Sequence, residues 1–229
     1  MNTQTNDYHQ NTIEAHQQNQ TAQWAVERHK VLKNTYSLLS MTLLFSAFSA
    51  WMAMELAVKP LGLIITLVGY FGLLFATVKL RNSVWGLACV FALTGFMGFT
   101  LGPMVSVYWS AAPGVVMQAF ATTALVFLSL SAYAVVTKKD FSFMGSFLMT
   151  GIIVAFVAGL AAIFFEIPAL SLAVSAIFVI LMSGLILYQT SEIVNGGETN
   201  YIMATVSLFV AIFNLFTSLL HLLGMGEGD

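Results

Sequence analysis

Charged residues are scarce in this sequence, and long stretches contain none. Only 8% of the residues are Asp, Glu, Lys or Arg, whereas soluble domains average about 25%. Hydrophobic residues make up 59%, which leaves too little polar surface to solvate a globule of this size. A water-soluble fold is therefore excluded. The uncharged stretches are residues 34–54, 60–78, 82–137, 141–165, 167–191 and 199–226.

These stretches are long enough to cross a membrane, because a helix needs roughly 20 apolar residues to span the hydrocarbon. The longest, residues 82–137, has room for two crossings. Strand alternation is absent, and a backbone exposed to lipid must satisfy its own hydrogen bonds within a helix. We predict an all-α membrane protein, a bundle of seven transmembrane helices, with spans at about residues 37–56, 60–78, 84–106, 115–137, 143–165, 170–190 and 203–223.

The four prolines predict where helices begin and end. Pro60 and Pro168 suit the first turn of a helix, where the missing N–H costs nothing. Pro103 and Pro113 are expected to bracket an aromatic turn at residues 107–109, which fits the belt of aromatic residues at a membrane interface.

The N-terminal segment differs in composition from the rest of the chain. Residues 1–23 consist mainly of Asn, Gln, Thr and other polar residues, which cannot bury enough surface to offset the entropy of ordering. We predict a disordered polar cytoplasmic tail over residues 1–28, followed by a single transmembrane domain over residues 29–229.

Basic residues predict the orientation, because cytoplasmic loops are rich in Lys and Arg. With the N-terminus in the cytoplasm, only Lys59 falls outside, and parity places the C-terminus in the periplasm. A re-entrant sixth or seventh segment would instead return the C-terminus to the cytoplasm, since the loop around Glu192 and Glu198 carries no Lys or Arg. The basic residues on the cytoplasmic side are Arg28, Lys30, Lys33, Lys79, Arg81, Lys138 and Lys139.

The sequence lacks the residues that common enzyme sites require. It has no H-E-x-x-H zinc motif and no G-x-S nucleophile motif. Between Asp7 and Asp229 its only Asp is Asp140, so a pair of aspartates sharing a proton is excluded. Its single cysteine, Cys89, cannot form an intramolecular disulfide. We therefore expect no enzyme activity, no metal site and no cofactor.

The third predicted span contains Gly95, Gly98 and Gly102, the last two in a G-x-x-x-G spacing. Small residues at this spacing let two helix backbones approach closely. Packing within the bundle is favoured over a dimer interface, because seven helices offer many internal partners.

Polar residues inside or near the predicted spans are candidates for an ion or proton path. Gln189 and Glu192 share a helix face if the sixth helix continues through them, and a carboxylate within the hydrocarbon usually serves such a path. The alternative places Glu192 at the interface, with Gly196 and Gly197 forming a turn. Asn214 is expected to form an interhelical hydrogen bond, and a place in a permeation path is the less favoured reading.

Several segments resemble the Bax inhibitor-1 family of seven-span membrane proteins. The resemblance covers about residues 29–223 and includes polar loops as well as apolar spans. It is carried by residues 29–36 (HKVLKNTY), 95–98 (GFMG), 101–103 (LGP), 123–127 (TALVF), 137–143 (TKKDFSF), 196–201 (GGETNY) and 204–208 (ATVSL).

The resemblance implies two functions. Bacterial members of the family lie in the inner membrane, where they bind and restrain a membrane-anchored ATP-dependent protease of the FtsH type. The partners that this implies are the protease and its membrane-associated regulators. On that reading the tail would bind the protease, through Trp24, Arg28, Lys30 and Lys33, and the bilayer would surround the body.

Other members of the family are proton-sensitive calcium leaks gated by a pair of aspartates. The resemblance aligns these aspartates with Gln189 and Ala211, neither of which can titrate, so a coupled acid pair cannot form there. Glu192, one turn from Gln189, is the nearby carboxylate that could substitute. We therefore predict a protease modulator and keep the cation leak as the alternative.

Overall fold

The computed structural model describes the backbone of residues 3–226 and the side chains of Trp24 and residues 26–226. In this part of the chain all regular structure is helical, and seven helices are long and apolar enough to cross a membrane, the first through its segment Val26–Glu55. The predicted seven-helix membrane bundle is confirmed. The helices are α1 (Thr3–Glu55), α2 (Leu63–Leu80), α3 (Val84–Ala111), α4 (Pro113–Thr137), α5 (Gly145–Phe164), α6 (Pro168–Asn195) and α7 (Tyr201–Gly226), with a 3-10 turn at Ser142–Met144.

Proline and glycine set several helix ends. Pro168 begins α6 in its first turn, as predicted. The prediction for Pro60 is wrong, because α2 begins only after Gly62, whose φ of 83° is not helical. The sixth helix continues to Asn195, beyond the predicted end at residue 190, and stops at Gly196 in the left-handed conformation.

The third helix does not end near Pro103. It continues to Ala111, so residues 107–109 are helical and the predicted aromatic turn there is wrong. Proline is tolerated inside a transmembrane helix because neighbouring helices and polar side chains satisfy the backbone groups that it frees. The turn lies instead at Ala112, the single residue between α3 and α4.

Helix α7 lies in the centre of the bundle. It packs against α1, α3, α4 and α6, whereas α2 packs mainly on α3 and α5 mainly on α6. Leu208, Phe209 and Leu215 of α7 are fully buried. The outer helices expose large apolar side chains, among them Ile64, Val136 and Phe164. Such side chains are expected on a surface whose solvent is lipid.

Different contacts hold the helices together at the two ends of the bundle. At one end, which we call the basic end, Asn200 of the α6–α7 connection is hydrogen-bonded to the α2–α3 connection, and the end of α6 is hydrogen-bonded to the α4–α5 connection. Gly196 of the α6–α7 connection lies beside Arg28, near the beginning of the membrane segment of α1. At the far end, His221 of α7 lies 3.4 Å from the Tyr108 hydroxyl of α3 and 3.2 Å from the Ser171 hydroxyl of α6. Helices α6 and α7 therefore each run from one end of the bundle to the other.

Helix α1 continues beyond its membrane segment towards the N-terminus. Its backbone is helical from Thr3, within the range predicted to be a disordered tail, while the side chains of residues 1–23 and of Ala25 lie outside the described part. Helical geometry and order in solution are different properties. The disordered tail over residues 1–28 therefore stays a prediction.

Candidate functional site

The α6–α7 connection is held by backbone hydrogen bonds to the last turn of α6. The Glu192 carbonyl accepts hydrogen bonds from the N–H groups of Gly196, Gly197 and Glu198, the last two at 2.8 and 3.2 Å. Gly196 has a φ of 85°. Glycine adopts this left-handed conformation without steric cost, whereas a residue with a side chain would be strained there, so glycine is suited to end the helix in this way. Gly196 and Gly197 therefore form a turn, as expected in the alternative that places Glu192 at the membrane interface.

Asn200 fixes the other side of this connection. Its side-chain oxygen accepts hydrogen bonds from the N–H groups of Ile202 and Met203, at 3.0 and 3.2 Å, which caps the beginning of α7. Its amide nitrogen donates to the Arg81 carbonyl and to the Asn82 side chain, at 3.2 and 2.8 Å. One side chain thus caps α7 and joins it to the α2–α3 connection.

The end of α6 is joined to the α4–α5 connection in a similar way. The Ser191 hydroxyl donates to the Lys139 carbonyl at 2.9 Å and accepts from the Phe141 N–H at 3.1 Å. Asn195 donates to the same carbonyl at 3.2 Å and to the Ser191 hydroxyl at 3.1 Å. Because Ser191 is fully buried, these bonds satisfy polar groups that would otherwise be costly.

Acidic groups gather at the same end. Glu192 is half-buried in the last turn of α6, within electrostatic reach of Asp140 and Glu198. The Ser142 N–H donates to Asp140 at 2.8 Å, and hydrogen bonding from Ser142 lowers the pKa of this exposed carboxyl. No group of three His, Cys, Asp or Glu side chains suited to a metal ion occurs among the residues the structure describes.

Asn214 and Glu192, two of the residues predicted for an ion path, lie at different depths in the bundle. Asn214 lies thirteen residues into α7, about 20 Å along the helix from its beginning, while Glu192 lies at the end of α6. The Asn214 amide donates to the Val210 carbonyl of its own helix at 2.8 Å, in place of the expected interhelical hydrogen bond. Gln189 is half-buried, and Ala211 is fully buried.

The residues predicted to bind a protein partner are exposed at the beginning of the membrane segment of α1. Trp24, Arg28, Lys30 and Lys33 are all accessible. The Arg28 guanidinium donates to the Trp24 carbonyl at 3.2 Å. A Cβ atom placed on Gly196 would lie 3.3 Å from the Arg28 side chain, so this part of α1 lies beside the α6–α7 connection.

Gly95, Gly98 and Gly102 of α3 face α1. A Cβ atom at Gly95 would lie 2.6 Å from the Phe45 ring, one at Gly98 would lie 2.7 Å from the Ser46 hydroxyl, and one at Gly102 would lie 2.7 Å from the Ala50 carbonyl. At Gly98 and Gly102 there is thus no room for a side chain between the two helices. Their role in packing, predicted from the spacing, stays a prediction.

Sequence analysis missed Ser191, Asn195 and Asn200 as the residues that join the connections. Two signals pointed to them. Asn directly before an apolar helix is a common N-cap, and a glycine after a helix marks its C-terminal end. Their partners Lys139, Arg81 and Asn82 lie far away in sequence and contribute mainly backbone carbonyls, which no sequence pattern identifies.

Comparison with known proteins shows similarity along most of the chain. The family model described as inhibitor of apoptosis-promoting Bax1 matches residues 28–228. The chain is 52% identical over 202 residues to the modulator of FtsH protease YccA of Escherichia coli (strain K12), which covers 88% of this chain and 92% of that protein. A membrane protein of Vibrio cholerae serotype O1 is 47% identical over 203 residues, which covers 87% of this chain and 91% of that protein.

Proposed function

The chain belongs to the Bax inhibitor-1 family, and from this membership we propose that it binds and restrains a membrane-anchored ATP-dependent protease of the FtsH type. In this proposal it lies in the bacterial inner membrane with its basic end in the cytoplasm. It has no catalytic site of its own and acts in the quality control of membrane proteins.

One observation carries the proposal. The similarity to the Escherichia coli protein named as a modulator of FtsH protease extends over 92% of that protein, so it includes the bundle and its connections. The position of Trp24, Arg28, Lys30 and Lys33 supports it. These exposed residues lie at the basic end, where an ATP-dependent protease on the cytoplasmic side could reach them.

The bundle suits a protein that occupies such a protease and resists unfolding. A protease that pulls on its substrates needs an accessible segment to grip, and the polar residues before Trp24 offer one. The body that follows contains buried side chains on every helix and connections joined by Ser191, Asn195 and Asn200. Extraction of α1 would break its contacts with α3 and α7, including the buried hydrogen bond that the Thr205 hydroxyl donates to the Thr35 carbonyl at 3.3 Å.

Deletion of residues 2–23 tests the proposal. We expect less protease to co-purify with the shortened protein from detergent-solubilised membranes, and the half-life of the protein to increase because the grip is lost. A Gly/Ser segment of equal length is the matched control and should restore the half-life of the full-length protein. Unchanged association together with an unchanged half-life on deletion would contradict the proposal.

A proton-sensitive cation leak stays the alternative. Its acid pair would fall at Gln189 and Ala211, which cannot titrate, so it would depend on Glu192 alone. A calcium dye in liposomes distinguishes the two functions, because a pH-dependent flux that Glu192→Gln abolishes would favour the leak.

A further inference from the structure

A pocket at the basic end, which we call the Arg81 pocket, lies between the α2–α3 connection and the beginning of α7. Its two sides are joined through Asn200, whose amide nitrogen donates to the Arg81 carbonyl at 3.2 Å and to the Asn82 side chain at 2.8 Å. Ser83 and Thr199 add hydroxyl groups to the lining. Among the described residues that form the lining, Arg81 carries the only charge, so the pocket is positive.

The hydrogen bonds already made decide which polar atoms stay available in the pocket. The Asn200 oxygen accepts two N–H groups of α7, so its nitrogen faces Asn82, and Asn82 must answer with its own oxygen. The Asn82 amide nitrogen therefore keeps its N–H donors for another partner. Thr199 adds an exposed hydroxyl, and a guanidinium such as that of Arg81 only donates. The Ser83 hydroxyl already donates to the last carbonyl of α2 at 3.1 Å.

Charge and donors together select an anion. A guanidinium binds a phosphate through two parallel N–H groups, and Arg81 is exposed. A cation would meet a charge of its own sign there. Glu198 of the α6–α7 connection accepts the Asn200 N–H with one carboxylate oxygen at 2.7 Å, and it does not belong to the lining of the Arg81 pocket.

The position of the pocket in the membrane selects the source of the anion. The pocket lies where α2 ends and α3 begins, and Trp85 in the first turn of α3 is exposed beside it, as is typical at the level of the lipid headgroups. Its lining continues from Arg81 to the apolar side chains of Val84, Leu87 and Ile202. A phospholipid brings a phosphate and an apolar chain together. Inorganic phosphate, or an acidic protein loop that approaches from water, would leave the apolar part uncovered.

We propose that the Arg81 pocket binds the phosphate group of an anionic phospholipid from the leaflet at the basic end. Arg81 holds the phosphate, and Asn82 and Thr199 donate to its remaining oxygens. The beginning of an acyl chain lies on Val84 and Leu87. A zwitterionic headgroup binds less well, because it brings its own cation close to the guanidinium. The proposal is independent of the protease, since none of the residues predicted to bind the protease lines this pocket.

Lipid titration of the full-length protein in detergent tests this binding. Phosphatidylglycerol and phosphatidylcholine are added in separate series, and native mass spectrometry counts the bound lipid. We expect phosphatidylglycerol to bind at the lower concentration. Arg81→Gln should weaken its binding at least about tenfold, because hydrogen bonds to a charged group are lost. Lys79→Gln removes the same charge from an exposed position in the last turn of α2, outside the lining, and should leave binding unchanged.

Asn82→Asp is a second variant, designed to keep the connection joined. The new carboxylate still accepts the hydrogen bond from Asn200, but it replaces the amide donors with a negative charge that repels a phosphate. We expect it to weaken phosphatidylglycerol binding at least as much as Arg81→Gln does, with no fall in the unfolding temperature. This variant decides the same question if Arg81→Gln does not fold.

Three outcomes would overturn the proposal. One is phosphatidylglycerol binding to Arg81→Gln that is as tight as to Lys79→Gln, which would show only the general attraction of a basic surface. Another is displacement of the lipid by an equal concentration of inorganic phosphate, which would assign the pocket to a soluble anion. The third is unchanged lipid binding by Arg81→Gln with less co-purified protease, which would assign Arg81 to a protein partner.

Discussion

Single polar side chains at the basic end hold connections that are distant in sequence. Asn200 satisfies two N–H groups at the beginning of α7 and donates to the α2–α3 connection. Ser191 both donates and accepts across to the α4–α5 connection. Each is small, and each has partners for both its donor and its acceptor. The stability of the connections therefore depends on both the donor and the acceptor atom of each of these side chains.

Asn200→Ala should lower the stability of the bundle, because it removes both the cap and the link to Asn82. Loss of a cap costs about 1 kcal/mol. Asn200→Asp keeps an acceptor for the N–H groups of Ile202 and Met203 but loses the amide donor, so we expect an intermediate effect. Hydrogen exchange in the first turn of α7 measures the difference. Equal exchange in the Ala and Asp variants would contradict the capping role.

Pairs of helices differ in how closely they approach. Helix α1 lies against α3 at Gly98 and Gly102, where a Cβ atom would meet backbone atoms of α1. Helix α2 contains Gly72, where an added Cβ atom would meet nothing within 4 Å. The G-x-x-x-G spacing predicts a close helix contact, and the partner helix follows only from the three-dimensional arrangement.

Gly98→Ala should separate α1 from α3 and destabilise the protein by about 1–3 kcal/mol, the usual cost of overpacking. Gly72→Ala is the matched control and should cause no loss. Cys89 is the single cysteine of the chain and is half-buried in α3, so its reaction with a thiol dye during heating reports unfolding. An unchanged midpoint for Gly98→Ala would show that the contact does not limit stability.

Much of the whole molecule could be predicted from sequence, because the membrane imposes helices and their number follows from uncharged stretches. The predictions of helix ends that were wrong failed because of local features of the backbone. Pro103 looked like a helix end but is accommodated inside α3, and Gly62 delayed α2 beyond Pro60. At the candidate site, the link between Ser191 and the Lys139 carbonyl could not be foreseen, because any residue supplies a carbonyl.

The alternation of helices also predicts where the termini lie. The α6–α7 connection is at the basic end with Lys139 and Arg81, so the end of α7 is at the opposite side. Alkaline phosphatase fused after Asp229 should be active, since it would fold in the periplasm. The same enzyme inserted after Lys139 should be inactive. Activity at both positions, or at neither, would contradict this orientation.

The contact between α1 and α3 has a mechanical consequence. A force applied to the N-terminus acts along the axis of α1, parallel to the seam that Gly98 and Gly102 form with Ser46 and Ala50. Such a load shears all of these contacts at the same time, whereas a load across the seam would open them one after another. Resistance to pulling is therefore a directional property of this contact, which withstands a load along α1 better than a load across the seam.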